Sequence, residues 1–173
     1  FKQKTAYEIY QCDWSSDVCS SDLGADSVDV PPVTAVPAEV LLDVNEQLLR
    51  YPASFTPHPR LAKQLERRRE AMGEAGGIDW GHAEALAFAA ILGQGMSVRL
   101  SGQDVERGTF SHRHAVLHDV TNADTYVPLR HLDGVDAAFE IYNSALSEMA
   151  VMGFEYGYST ASADTLEIGR AHV

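Results

Sequence analysis

Between Ala145 and Tyr158 the chain is apolar on every side of a helix. Leu146, Met149, Ala150, Gly153, Phe154 and Gly157 recur at the spacing of one helical face, and Val151 and Met152 make the opposite face apolar too. A helix of that kind has to be covered all round, which predicts a layered domain with this helix, capped by Ser144, inside it. A second apolar helix is expected over Trp80 to Leu92, with Asp79 as its N-cap. Between the two lie short β-type runs, Ser97 to Leu100 and Phe139 to Tyr142, separated by polar and loop-like sequence. The order helix, strand, loop, strand, helix points to the α/β class: a parallel sheet with helices on both faces. Ligands in such sheets lie beyond the carboxyl ends of the strands, so the loop that follows Leu100 is the natural place to look for function.

Upstream, Val40, Leu41, Val44 and Leu48 give a helical period over Ala38 to Leu49. Arg60 to Glu74 reads as a largely solvated helix with Leu61 and Leu65 on one side, ended by Gly76-Gly77. Ala25 to Pro37, with Pro31, Pro32 and Pro37 among small and acidic residues, reads as an extended linker.

The two ends are related at the level of coding. Cys19 to Leu23 can be written TGC TCT TCC GAT CTC, and the reverse complement of that string translates as Glu-Ile-Gly-Arg-Ala, the sequence of Glu167 to Ala171. One ligated adapter read on opposite strands would produce both. Residues 1–23 and 167–173 are therefore expected to be adapter-derived, with 24–37 a linker and 38–166 the domain. Gly24 to Leu166 then carries 10 basic and 20 acidic residues, and an acidic surface of that kind argues against nucleic-acid and anionic-membrane partners. Both cysteines, Cys12 and Cys19, fall in the first 23 residues, so no disulfide, thiolate nucleophile or cysteine metal site is expected in the domain.

Two constellations could carry chemistry. Glu148 stands in the first turn of the apolar helix. A buried carboxylate is costly unless paired or protonated, and a protonated carboxyl can donate a hydrogen bond; an exposed first-turn glutamate favoured by the helix dipole is the plainer reading. The second constellation is the run from Arg99 to His118. If His112 to His118 is extended, His112, His114, Val116 and His118 share a face. The histidines form at most half of a metal site, with no motif to complete it, and together with Arg113 they could instead bind a substrate carboxylate. There is no phosphate-binding glycine loop, no dinucleotide fingerprint and no nucleophile elbow.

The stretches Val98 to Val116 (VRLSGQDVERGTFSHRHAV) and Asn143 to Ser159 (NSALSEMAVMGFEYGYS) resemble the decarboxylating component of 2-oxoglutarate dehydrogenase, as do Gly77-Ile78-Asp79-Trp80 and Thr56 to Leu61. The resemblance runs in order from about Thr34 to Leu166, and enzymes acting on 2-oxoadipate share much of it. It implies part of a transketolase-type pyrimidine-binding domain from a homodimer that uses thiamine diphosphate. The magnesium and diphosphate ligands would lie upstream of this segment. In the family the glutamate of the Leu-Ser-Glu motif, here Glu148, bonds the aminopyrimidine ring nitrogen and promotes the tautomer that activates the cofactor. The substrate would be 2-oxoglutarate, and the succinyl group would pass to the lipoyl domain of dihydrolipoyl succinyltransferase. Gln103, Asp104, His112 and His114 would face the cofactor and substrate channel. The resemblance also implies that these residues alone are inactive, and a location in the cytoplasm, or in the mitochondrial matrix for a eukaryotic source.

Overall fold

A computed structural model describes residues 34–74 and 76–170, whose compact unit begins at Val36. The expectations for residues 1–33 and 171–173 lie outside the described residues. Three helices come first: α1 (Ala38–Leu48), α2 (Pro59–Ala71) and α3 (Trp80–Gly93). Pro59 starts α2, where its missing N–H is no loss. Asp79 caps α3, its carboxylate accepting from the His82 N–H at 2.8 Å. Then come β1 (Ser97–Gly102), the two-residue strands β2 (Leu117–His118) and β3 (Thr125–Tyr126), β4 (Phe139–Asn143), α4 (Glu148–Ser159) and β5 (Thr165–Arg170).

β1 is the central strand of a parallel sheet ordered β4-β1-β5. Its alternation assigns its two faces. Val98 and Leu100 join the core with Leu86, Phe88, Ala89 and Leu92 of α3, and Phe88 meets Phe139 at 6.0 Å between ring centroids. Arg99 and Ser101 point to the other face, where both bond Glu155 of α4. The sheet is thus covered by α3 on one side and α4 on the other, the α/β arrangement expected. A smaller cluster of Leu49, Phe55, Leu65 and Leu117 lies beside it. Among the described residues no helix is long and apolar enough to cross a membrane.

Four expectations change. The last helix starts at Glu148, not Ala145, because Ser147 is the cap, accepting from the Ala150 N–H, while the Ser144 hydroxyl closes a local turn onto the Leu146 N–H at 3.1 Å. That helix is not buried all round. Only Val151 and Glu155 are buried, Met149 and Tyr156 are 84% and 74% exposed, and a Cβ at Gly153 or Gly157 would meet nothing. Among the described residues only the sheet covers it. Residues 112–118 are not one extended face either: His114 has φ +48°, and only Leu117 and His118 join a strand. Finally, the 122–136 stretch holds β3 and a 3-10 turn at Pro128–Arg130 rather than loop alone. β5 pairs with β1 as far as Arg170.

Candidate functional site

The carboxyl ends of β1 and β4 open onto a cavity of about 340 Å³ lined by Arg99, Ser101, Tyr142, residues 143–146, Val151 and Phe154. Residues 144–147 carry the chain from β4 into α4 and deliver Glu148 to its first position, half-buried. Two bonds tie this lead-in to the end of β1: Ser144 N–H to Gly102 O at 2.8 Å, and Gln103 Nε2 to Leu146 O at 3.3 Å. Gln103 is therefore next to the segment that presents Glu148. Asp104 is turned aside, its carboxylate held by the Arg107 guanidinium at 2.5 Å.

His112 and His114 occupy a second region, on the α3 side of the same edge. His112 borders a cavity of about 370 Å³ with Glu84, Phe88, Leu100, Arg113, Ile168 and Gly169. His114 lines a separate, much smaller space with Leu48, Leu65, Arg68 and Phe88. The five site residues expected from sequence thus share one edge of the sheet without forming one cluster. Glu148 and Gln103 lie towards α4, and the two histidines towards α3.

The histidine loop is fixed from many directions. Arg68 of α2 donates to the carbonyls of His112 and Arg113 at 2.9 and 3.2 Å. Arg113 makes a two-pronged pair with Glu84 at 2.5 and 2.9 Å and donates to Val105 O at 2.7 Å. The N–H groups of Arg113 and His114 both donate to Arg107 O at 3.0 Å. Gly81 approaches so closely that a Cβ there would sit 2.3 Å from His112 O, and one at Gly108 would sit 2.5 Å from the His112 ring. Within this restraint Asp104, Ser111 and His114 hold positive φ of 51°, 52° and 48°, conformations that persist only where surroundings impose them. Burial lowers the pKa of His114, and the positive charges of Arg68 and Arg107 push the same way. The neutral imidazole is therefore favoured, as acceptor as well as donor. Phe110 and Trp80 flank this region and are 82% and 92% exposed.

Arg113 does not fill the substrate-binding role considered for it. It is 6% exposed and committed to Glu84 and Val105 through Nε and both Nη atoms, so it shapes the loop from inside and is not presented to a substrate carboxylate.

Sequence reasoning missed the densest polar cluster. Arg99 donates to Glu155 at 3.2 Å and to Glu140, and Ser101 donates to Glu155. The Arg99 guanidinium lies 5.0, 5.4 and 4.9 Å from the ring centroids of Tyr142, Phe154 and Tyr158. Burial works against the Arg99 charge, but hydrogen bonds and negative charge from Glu140 and Glu155 outweigh it and raise its pKa above the ordinary value. The available signal was a glutamate in mid-helix among apolar residues, together with the polar Arg99 and Ser101 alternating with Val98 and Leu100.

A family model described as "Transketolase, pyrimidine binding domain" matches residues 76–171. The chain is 54% identical over 138 residues to the 2-oxoglutarate dehydrogenase E1 component of Shouchella clausii (strain KSM-K16), covering 80% of this chain and 15% of that protein. It is 43% identical over 178 aligned positions to the protein of the same name from Oceanobacillus iheyensis, covering 97% of this chain and 19% of that one. A Bacillus mycoides (strain KBAB4) protein, also named 2-oxoglutarate dehydrogenase E1 component, is 49% identical over 141 residues, or 82% and 15% of the two chains. The chain spans less than a fifth of the length of these relatives. A parallel sheet with a carboxylate at its carboxyl edge and a match over residues 76–171 lead to one assignment: this chain belongs to the transketolase pyrimidine-binding domain family.

Proposed function

We propose that this domain serves a thiamine-diphosphate-dependent 2-oxoglutarate dehydrogenase, holding the pyrimidine ring of the cofactor with Glu148. The observation that carries the reading is the position of Glu148: the first residue of α4, half-buried, at the carboxyl edge of a parallel sheet, between Leu146 and Val151, which line a cavity of about 340 Å³. The donor set suits an aminopyrimidine. A carboxyl can bond a ring nitrogen, and Tyr142 and Phe154 offer apolar walls. On the resemblance, magnesium and the diphosphate are assigned to residues elsewhere in the enzyme.

When bound, thiamine diphosphate supplies the nucleophilic carbon that permits decarboxylation of a 2-oxo acid. The role of the chain is local. Glu148 holds a proton against the ring nitrogen, and Gln103 keeps the segment before Glu148 in register with β1. His112 and His114, with Asp104 at the root of their loop, face the substrate channel, where an imidazole kept neutral can accept or donate a proton. The name shared by the bacterial relatives supports 2-oxoglutarate as substrate, and the resemblance supports the lipoyl domain of dihydrolipoyl succinyltransferase as acceptor, a homodimer and a cytoplasmic setting. The uncovered face of α4 supports a second copy or domain packed over it. We also propose the domain limits 38–166, with adapter-derived ends. The buried Glu167 Oε1 has no hydrogen-bond partner, which supports a residue foreign to its place.

Glu148→Gln in the complete enzyme is expected to lower 2-oxoglutarate decarboxylation about 10²- to 10⁴-fold, the usual contribution of a proton-transferring side chain. Unchanged turnover would remove Glu148 from the chemistry and favour a noncatalytic interaction domain. Parallel assays with 2-oxoadipate decide between the two acids.

A further inference from the structure

Among the described residues α4 packs on the sheet through two buried side chains, Val151 and Glu155, and through Met152, which lies against Gly169 of β5. They differ in what they can fix. An apolar contact tolerates sliding and rotation, whereas hydrogen bonds to a charged group are directional. Glu155 is 3% exposed and accepts from Arg99 and Ser101 on the central strand, and Arg99 is itself held by Glu140 on the next strand. Three aromatic rings, from β4 and α4, surround the guanidinium. Glu155 lies seven residues after Glu148, two turns on the same face, about 10 Å along the axis. Among the described residues the outer faces of α4 are uncovered, and beside the Met152 contact with Gly169 this cluster is the directional contact that fixes the rotation and axial position of the helix that begins with Glu148.

We propose that Glu155, Arg99 and Ser101 are positioning residues for Glu148: they fix α4 against β1 so that the Glu148 carboxyl is aimed at the ring nitrogen of the bound cofactor. The proposal rests on the Glu148 reading above. It predicts an effect specific to one bond of the ligand, which a general packing role would not produce.

The test is calorimetric binding to the complete enzyme carrying this domain. The two ligands are thiamine diphosphate with Mg²⁺ and an analogue in which CH replaces the ring nitrogen bonded by Glu148. Glu155→Gln and Arg99→Lys should raise the Kd for the cofactor about 10- to 100-fold, the scale of a misplaced interacting group, and leave the Kd for the analogue nearly unchanged. Ser101→Ala, the mildest variant, should show the same selectivity at smaller size if the other two fold poorly. In a Glu148→Gln background the effect of Glu155→Gln should vanish, because the two residues act on one bond. Equal weakening of both ligands, or additive losses in the double variant, would overturn the positioning role and leave Glu155 a packing residue. If Glu148→Gln itself fails to distinguish the two ligands, the underlying reading falls, and this inference with it.

Discussion

Arg113 is a buried cation and Arg99 a partly buried one, both near the same edge of the sheet and each joined to glutamate, yet the segments they hold are finished to different degrees. Arg113 belongs to a loop pinned by Arg68, Glu84, Val105 and two glycine contacts, all within this chain. Arg99 holds α4 by one polar cluster while Met149, Phe154 and Tyr156 stand exposed on that helix. The histidine loop therefore carries its own restraints, and α4 is a surface awaiting cover. At a site shared between domains, one wall can be complete before assembly while the other takes its final setting from a neighbour.

The comparison breaks most readily at Arg113. Arg113→Met strips Glu84 of its partner and leaves the Val105 carbonyl without its donor. Urea unfolding of the chain should show a loss of about 3 kcal/mol, at the lower end for a broken buried pair because Glu84 is partly exposed. A loss below 1 kcal/mol would mean that the loop is held by its backbone bonds alone. A smaller change of opposite sign is expected on α4. Gly153→Ala places a methyl in open space inside a helix, so the chain should gain about 0.5–1 kcal/mol. Destabilisation of the chain would show the face already covered, whereas a weakened homodimer in the complete enzyme would identify what covers it.

The smallest effect concerns protons. Burial depresses the pKa of both His82 and His114 from 6.5, so the unfolded chain binds more protons than the folded one below that value. Their contribution is present in full above pH 6.5 and is lost as pH falls through the folded values. Between pH 7.5 and 5.5 the urea midpoint should drop, and His114→Asn should reduce the drop. A midpoint indifferent to that substitution would remove His114 from the account.

What the sequence disclosed follows from range. The cap at Asp79, the run of α3 and the strands β1 and β4 depend on neighbours a few residues apart, and periodicity records them. The start of α4 was displaced because Ser144 and Ser147 are equally good caps in sequence, and only the turn made by Ser144 decides between them. The role of Arg113 depends on Glu84, 29 residues earlier on α3, and that of Glu155 on Arg99, 56 residues away on the central strand. No local pattern encodes either pairing. β2 and β3 pair over two residues each, too few for alternation to register.

Trp80 begins α3, next to the glycine that presses on His112, with its side chain 92% exposed. It is the one tryptophan among the described residues. Its indole in water should fluoresce at the long-wavelength end of the tryptophan range and be open to quenching by iodide. Anything that settles over the histidine loop would shift that emission to the blue and shield it. With Trp14 replaced by Phe, Trp80 would be an optical gauge of cover over the histidine loop, readable without label or substrate.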